Sequence, residues 1–294
     1  MLKVRVFTAF VLIFLLFYCV SYLDSSLGSL ALFSVALFLV GTEFIALRWH
    51  VIDGYTHTEI PTPPLSKEFF VIGAAYACCL LIHDWGERYF GQAAGGTSLV
   101  FAWISACMVV ASAAFYRREL NLQTATQKLM NLLSGFVYLA IPSIAMYKLS
   151  LLELPGSPKG LALYFSLAVI LMGDTGAYFA GRAFGKTLLI PKVSPKKTLE
   201  GAYGGLAASV LTGVGFCLVF NMPFSTPLAA IIALLAGLAG QVGDLVESAL
   251  KRAANCKDSG FLLPGHGGAL DRVDSLVFGV PIAYLLFLFS NSVL

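Results

Sequence analysis

The residues from Ser248 to Asp274 combine bases, carboxylates and glycines beside long apolar runs. The charged residues of this segment are Lys251, Arg252, Lys257, Asp258, Asp271, Arg272 and Asp274. Charged types make up only 12% of the whole chain. Because charge next to a membrane span is expensive, it usually serves binding, transport or catalysis. The segment therefore indicates chemistry on a charged substrate at a membrane surface.

Two apolar runs contain carboxylates that a membrane span would bury, Asp174 in the first and Asp244 with Glu247 in the second. A central Asp costs roughly 2.5–3.5 kcal/mol to insert, so such a residue usually faces a polar interior and a partner. Asp174 and Asp244 each lie close to the expected inner end of their run, roughly 9 Å deep at the helical rise. We expect these two aspartates to lie at one depth, where they could face each other.

The second run places four polar side chains on one helix face, because their spacing is i, i+3, i+4 and i+7. They are Asp244, Glu247, Ser248 and Lys251. Asp271 and Asp274 repeat the i, i+3 spacing further along the chain. Carboxylate oxygens suit Mg²⁺, which also binds water and substrate phosphates. We predict Asp244 and Asp271 as direct magnesium ligands, with Asp274 as a further candidate.

Other uses of these carboxylates stay open. Glu247 could pair with Lys251 one turn away, and Asp271 with bases near Arg272, as ordinary ion pairs. A proton or ion pathway would need the same buried carboxylates. The carboxylates alone therefore leave the class of function undecided.

A second basic segment lies at 181–202 and contains no acidic residue before Glu200. Its bases are Arg182, Lys186, Lys192, Lys196 and Lys197. Lys196 and Lys197 precede a glycine-rich helix start near Gly201, where free backbone N–H groups favour an anion. By itself, this pattern is also typical of a loop that faces lipid headgroups.

The segment 251–272 adds bases around Asp258 and the turn-forming sequence LPGHGG. Glycine and proline permit tight turns and a close backbone approach to a ligand. His266 could contact phosphate or stabilise the turn, and both interpretations are open. Because the two basic segments fall on one predicted side of the membrane with carboxylates between them, we predict a metal–polyphosphate site.

The chain is 58% apolar and its mean hydropathy is +0.83, which is typical of an integral membrane protein. Runs of sufficient length predict nine helical spans. The spans lie near 4–23, 27–47, 69–82, 97–115, 129–147, 160–180, 203–220, 228–250 and 273–293. Because backbone groups in hydrocarbon must bond internally, we expect an all-α polytopic membrane helical bundle.

We interpret residues 1–294 as a single integral membrane domain. Its parts are an N-terminal transmembrane region at 1–150 and a catalytic transmembrane region at 160–294, with cytosolic loops at 181–202 and 251–272. The polar segment 48–68 is interpreted as a linker between spans.

The distribution of Lys and Arg predicts the orientation. With the N-terminus in the cytoplasm and the C-terminus outside, sixteen of these bases fall inside and only Arg88, Lys148 and Lys159 fall outside, as the positive-inside rule expects. This count requires the short span 69–82. Residues 1–23 could instead form a signal peptide, although the charge count favours an uncleaved first span.

The cysteines give no sign of a disulfide or zinc framework. Five of the six lie within or near apolar runs, and none forms a Cys-x-x-Cys pair. Cys256 falls in a predicted cytosolic loop and is interpreted as an incidental reduced thiol.

The stretch from Ser248 to Asp274 resembles the signature of the phosphatidate cytidylyltransferases, or CDP-diacylglycerol synthases. The matching positions are Ser248, Leu250, Lys251, Arg252, Lys257, Asp258, Gly260, Leu263, Pro264, His266, Gly267, Gly268, Asp271, Arg272, Val273 and Asp274. Ala269 stands where the family usually carries a larger aliphatic residue. The segment SPKKTLEG at 194–201 and the span around Asp174 also look like family elements, so the resemblance covers roughly residues 160–294.

This resemblance implies transfer of a cytidylyl group from CTP to phosphatidate, which yields CDP-diacylglycerol and pyrophosphate. It implies Mg²⁺, a second monovalent cation such as K⁺, and a homodimer, with no nucleic-acid partner. The protein would lie in a bacterial inner membrane with its active site facing the cytoplasm. The implied groups that balance the pyrophosphate charge are Lys197, Lys251, Arg252 and Lys257, oriented by Ser194, Glu200 and Asp258. Further implied substrate contacts are Asp174, Lys196, Ser248, His266 and Arg272.

Two other functions would use the same features. A CTP-dependent polyprenol or phytol kinase would transfer the γ-phosphate to an alcohol instead. An ion-coupled transporter could use Asp174, Asp244 and Glu247 as a relay, but it gives no reason for dense basic segments on one face.

Overall fold

Long apolar helices make up most of the computed structural model, which describes residues 2–21, 25–52, 67–90, 95–118, 121–260 and 267–293. The α-helices in these ranges are α1 (Leu2–Ser21), α2 (Ser25–Ile52), α3 (Lys67–Phe90), α4 (Gly95–Arg118), α5 (Leu122–Gly135), α6 (Ile141–Leu151), α7 (Leu161–Phe184), α8 (Leu199–Val219), α9 (Thr226–Ala253) and α10 (Leu276–Val293). A π-helical turn (Phe136–Ala140) joins α5 to α6, and a 3₁₀ turn (Leu270–Arg272) precedes α10. The expectation of an all-helical fold is confirmed.

Six stretches in the described part of the chain are long and apolar enough to cross a bilayer. They are Ser26–Trp49, Ser98–Arg118, Leu122–Leu151, Leu161–Phe184, Leu199–Val219 and Thr226–Ala253. The stretch Leu276–Ser290 is a shorter apolar helix. The chain is therefore an integral membrane protein. The polar linker expected at 48–68 begins later than predicted, because α2 continues to Ile52, and residues 53–66 lie outside the described ranges.

The chain divides into two compact units. The first unit comprises Met1–Cys19, Ser26–Ile144 and Leu250–Arg272. In it α3 packs against α4, and α4 against α5. Tyr76 on α3 donates a hydrogen bond from its hydroxyl to the carbonyl of Leu132 on α5 at 3.1 Å. Its ring is fully buried and packs edge-on against Phe136, so α3 has a polar contact with α5 and an aromatic contact with the π-helical turn that follows it.

The second unit comprises Val20–Ser25, Ala145–Ala249 and Val273–Leu294. Its main contact is between α7 and α8, whose facing residues are small. A Cβ added at Gly204 on α8 would lie 2.1 Å from the Cβ of Ala180 on α7, and one added at Gly176 would lie 2.4 Å from that of Ala208. Small residues let the two backbones approach closely, as is common between membrane helices.

A short antiparallel hairpin interrupts the segment 181–202, which the sequence presented as a loop. Strand β1 (Leu188–Ile190) pairs with β2 (Ser194–Thr198). The amide of Val193 bonds the carbonyl of Ile190 at 3.1 Å, and Pro191 occupies the second turn position, where its fixed φ is favourable. The connection between α7 and α8 therefore contains a hairpin, because the turn residues allow the chain to fold back on itself.

The α7–α8 contact can be tested with two glycines of α8. We expect Gly204→Ala to lower the thermal midpoint of the detergent-solubilised protein by several degrees, since overpacking typically costs about 1–3 kcal/mol. The matched control is Gly215→Ala, because a Cβ added at Gly215 meets nothing within 4 Å. Equal midpoints for the two variants would contradict the close packing of α7 on α8.

Candidate active site

A cavity of about 430 Å³ in the second unit collects several residues that the sequence indicated. Helices α7, α8 and α9 and the hairpin supply its walls. Its polar and charged lining residues include Asp174, Arg182, Ser194, Lys196, Lys197, Gln241 and Asp244. Its volume is within the range of small-molecule sites. Asp174 and Asp244, expected at one depth, both line this cavity.

Lys197 and Asp244 form an ion pair in the cavity, with 2.6 Å between Nζ and Oδ2. The hydroxyl of Ser248, one turn along α9, donates to Oδ1 of Asp244 at 3.3 Å. The lysine and aspartate side chains are 30% and 27% exposed, so a ligand in the cavity can reach both. The base that balances Asp244 therefore comes from strand β2 and not from its own helix.

The start of α8 holds the hairpin that carries Lys197. Thr198 is the N-cap, and its hydroxyl accepts a hydrogen bond from the amide of Gly201 at 3.2 Å. The carboxylate of Glu200 accepts the backbone N–H groups of Lys186 and Thr187 at 3.0 and 3.2 Å. Glu200 thus binds the backbone that enters the hairpin on which Lys197 lies.

Asp174 on α7 belongs to a group of carboxylates in the same unit. The hydroxyl of Ser275 donates to its Oδ2 at 2.8 Å. The charges of Asp274, Asp244 and Lys197 all act on Asp174. Asp274 itself accepts the backbone N–H of Ser275 at 2.8 Å. In the described part of the second unit, Asp174 is therefore subject to the charges of two other carboxylates and of Lys197.

The first unit contains a second ion pair between a lysine and an aspartate. Nζ of Lys251 lies 2.8 Å from Oδ1 of Asp271, and the two side chains are 12% and 7% exposed. Asp271 also accepts the backbone N–H of Ser259 and of Gly268, both at 3.0 Å to Oδ2. Burial disfavours the charged carboxylate, but Lys251 and the two N–H donors outweigh it and lower the pKa of Asp271.

The end of α9 explains the position of Lys251. The backbone N–H of Cys256 bonds the carbonyl of Lys251, and that of Asn255 bonds Arg252, both at 3.0 Å. Asn255 has a φ of 53°, so this is a Schellman ending with asparagine in the left-handed conformation. The turn directs the chain from the helix into the segment that carries Ser259.

Sequence reasoning missed Glu43, which is fully buried on α2. Its Oε2 accepts the backbone N–H of Leu270 at 2.8 Å and the hydroxyl of Ser259 at 3.3 Å. A carboxylate within the apolar run FLVGTEFIAL was the available signal, and the same signal had singled out Asp174 and Asp244.

The remaining predicted residues lie mostly at the surface. Arg252, Lys257, Asp258 and Arg272 are exposed, while Glu247 is buried. Arg252 donates from Nη1 to the carbonyl of Cys256 at 3.2 Å. His266 lies outside the described residues.

The predicted magnesium ligands belong to both units, Asp271 to the first and Asp244 with Asp274 to the second. Among the described residues, no group of three or more His, Cys, Asp or Glu side chains is gathered as a complete metal site. The donor chemistry nevertheless fits Mg²⁺, since these are carboxylate oxygens and the ion commonly takes its other ligands from water and phosphate. The assignment of magnesium to these carboxylates stays a prediction.

Comparison with known proteins decides the family. The family model described as "Cytidylyltransferase family" matches residues 3–290 of the 294-residue chain. This protein belongs to the cytidylyltransferase family. The match covers nearly the whole chain, including the first 150 residues, which lie outside the range of roughly 160–294 covered by the resemblance. The family resemblance inferred from residues 248–274 is confirmed.

Several curated relatives of this cytidylyltransferase-family protein are named phosphatidate cytidylyltransferase. The one from Bacillus subtilis is 44% identical over 159 residues, which is 53% of this chain and 59% of the relative. The one from Synechocystis is 44% identical over 128 residues, 43% of each chain. The one from Staphylococcus epidermidis is 40% identical over 126 residues, 43% of this chain and 48% of the relative. The chain thus spans about half the length of the curated relatives it matches.

The Lys251–Asp271 pair can be tested through stability. We expect Asp271→Ala to reduce the free energy of unfolding by about 3 kcal/mol, because it leaves a buried lysine and two backbone N–H groups without their carboxylate. Thermal unfolding in detergent measures the effect. The matched control in the same segment is the exposed Asp258→Ala, expected to change stability by about 0.5 kcal/mol or less. If both variants unfold at the wild-type midpoint, Asp271 does not hold this segment together.

Proposed function

We propose that this protein is a phosphatidate cytidylyltransferase, which converts CTP and phosphatidate to CDP-diacylglycerol and pyrophosphate. The observation that carries the proposal is the Lys197–Asp244 pair in a cavity of a membrane-spanning unit. Bases and carboxylates together suit a polyphosphate and its metal. Family membership and the name shared by the relatives support the same activity.

The proposed reaction needs no protein base to create the nucleophile. A phosphate monoester has a second pKa of about 6, so phosphatidate is largely anionic at neutral pH. One of its oxygens attacks the α-phosphorus of CTP. The bond from that phosphorus to the oxygen bridging to the β-phosphate breaks, and its electron pair leaves with pyrophosphate. Catalysis then consists of in-line placement and neutralisation of charge.

The side chains of each unit take separate parts in this proposal. In the second unit, Lys196, Lys197 and Arg182 line the cavity and would neutralise phosphate oxygens. In the first unit, Lys251 would serve the leaving pyrophosphate, together with Arg252 and Lys257. Asp174, on the membrane-spanning α7, would face the lipid substrate.

From the sequence pattern, we propose Asp244, Asp271 and Asp274 as residues that would bind Mg²⁺, and a monovalent cation such as K⁺ as a further cofactor. When bound, magnesium would supply Lewis-acid neutralisation of the triphosphate. Lys197 and Lys251, which pair with Asp244 and Asp271, would neutralise phosphate oxygens of the nucleotide.

The finer membrane arrangement is part of the proposal. We propose nine spans in a bacterial inner membrane, with the N-terminus in the cytoplasm and the C-terminus outside, and a homodimer as the functional form. The distribution of Lys and Arg supports this orientation. Both basic segments then face the cytoplasm, where CTP is found, while the acyl chains of phosphatidate stay in the bilayer.

Product analysis tests the proposed activity. The purified protein in detergent is incubated with phosphatidate, Mg²⁺ and CTP labelled either at the α- or at the γ-phosphate. We expect α-label in the lipid phase and γ-label in pyrophosphate, and chelation of the metal should abolish both.

A polyprenol or phytol kinase would give the opposite pattern with an alcohol acceptor, since the γ-label would enter the lipid and CDP would remain in water. Transfer of γ-label only, or no lipid label from protein whose thermal unfolding is cooperative, would contradict the proposal.

A further inference from the structure

Glu43 is a fully buried carboxylate within an apolar span, far in sequence from the charged segments. We propose that Glu43 is a positioning residue of the active site, which holds the segment formed by the described residues 259–260 and 267–271 so that Asp271 faces Lys251. This inference rests on the proposed function. It adds a role for α2, which no residue pattern assigned to the reaction.

The contacts of Glu43 are made across 216 residues of sequence. Its Oε2 accepts two hydrogen bonds, from the N–H of Leu270 at 2.8 Å and from the hydroxyl of Ser259 at 3.3 Å. Leu270 and Ser259 are both buried. One carboxylate oxygen therefore binds donors from both parts of the segment, the part at 259–260 and the part at 267–271.

Two glycines let the segment come this close. A Cβ added at Gly260 would lie 2.7 Å from Oε1 of Glu43, and one added at Gly268 would lie 2.7 Å from Oε2. The Gly268 position would also meet the Ser259 hydroxyl at 2.1 Å. A side chain at either position would force the Glu43 carboxylate or the segment to shift, so the close contact between them depends on both glycines.

The same segment connects Glu43 to Asp271. Ser259 gives its hydroxyl to Glu43 and its backbone N–H to Asp271. Gly268 lies against Glu43 and gives its backbone N–H to Asp271. Ser259 and Gly268 therefore each lie between the carboxylates of Glu43 and Asp271. Asp271 in turn pairs with Lys251. Loss of Glu43 would free both donors that orient Asp271.

A buried carboxylate in an apolar span is costly to keep. Apolar packing of α2 would serve stability at lower cost, since leucine or methionine could fill the same volume without desolvating a charge. What an apolar residue cannot do is accept hydrogen bonds from Ser259 and Leu270. Orientation of the segment is therefore the property that Glu43 adds.

A native cysteine reports on the segment without any assay of activity. Cys256 is buried, its thiol donates to the carbonyl of Lys251 at 3.5 Å, and burial raises its pKa to about 11. It should therefore react slowly with a maleimide in the wild-type protein, because little thiolate is present and access is poor. Mass spectrometry of the Cys256 peptide measures this rate separately from the other cysteines.

The experiment compares Glu43→Ala, Glu43→Gln and the control Asp84→Asn in the full-length protein. Asp84 is a carboxylate of the same unit that pairs with Arg88 on α3. We expect Glu43→Ala to raise the labelling rate of Cys256 by about tenfold or more and to lower kcat by about tenfold or more. The KM for CTP should change by less than about threefold. Glu43→Gln retains an amide oxygen as acceptor, so it should restore much of both properties, and Asp84→Asn should match the wild type.

Wild-type labelling in Glu43→Ala would overturn the proposal, and so would faster labelling with unchanged kcat. If Glu43→Ala does not fold, Ser259→Ala takes its place, because it removes the hydroxyl that donates to Glu43. Wild-type labelling and wild-type kcat in Ser259→Ala would then overturn the proposal. If the wild type itself forms no CDP-lipid, the proposed activity fails, and the labelling rates still show whether Glu43 holds the segment.

Discussion

A charged side chain placed in an apolar, membrane-spanning unit needs a partner of opposite charge or a set of hydrogen-bond donors. This constraint explains the polar contacts of the structure. Asp244 is balanced by Lys197, Asp271 by Lys251, and Glu43 by donors from Ser259 and Leu270. Each of these contacts lies within one unit. In each, a residue of segment 181–202 or of segment 251–272 contacts a carboxylate.

Small residues make these pairings possible. Helices α7 and α8 approach closely through glycine and alanine. The hairpin that joins them carries Lys197, which lines the same cavity as Asp244. In the first unit, Gly260 and Gly268 let their backbones lie directly against the carboxylate of Glu43. Glycine thus serves close packing in one unit and a polar contact in the other.

Much of the fold could be predicted from sequence, because apolar runs of bilayer length are a strong signal. The carboxylates within those runs were visible for the same reason. The partners of Asp244 and Asp271 were not, since a search among near neighbours in sequence finds neither Lys197 on strand β2 nor Lys251, which lies 20 residues before Asp271 on α9. Glu43 was missed although it lies in such a run, because its partners are backbone and hydroxyl groups 216 or more residues away.

The central claim is that the lysine paired with Asp244 serves the triphosphate of CTP. The most direct test is kcat/KM for CTP in Lys197→Ala, with the exposed hairpin lysine variant Lys192→Ala as matched control. The account predicts a loss on the order of 100-fold for Lys197→Ala, as for removal of one preorganised charge donor, and no change for Lys192→Ala. Equal kcat/KM values for the two variants, in protein that folds normally, would contradict it.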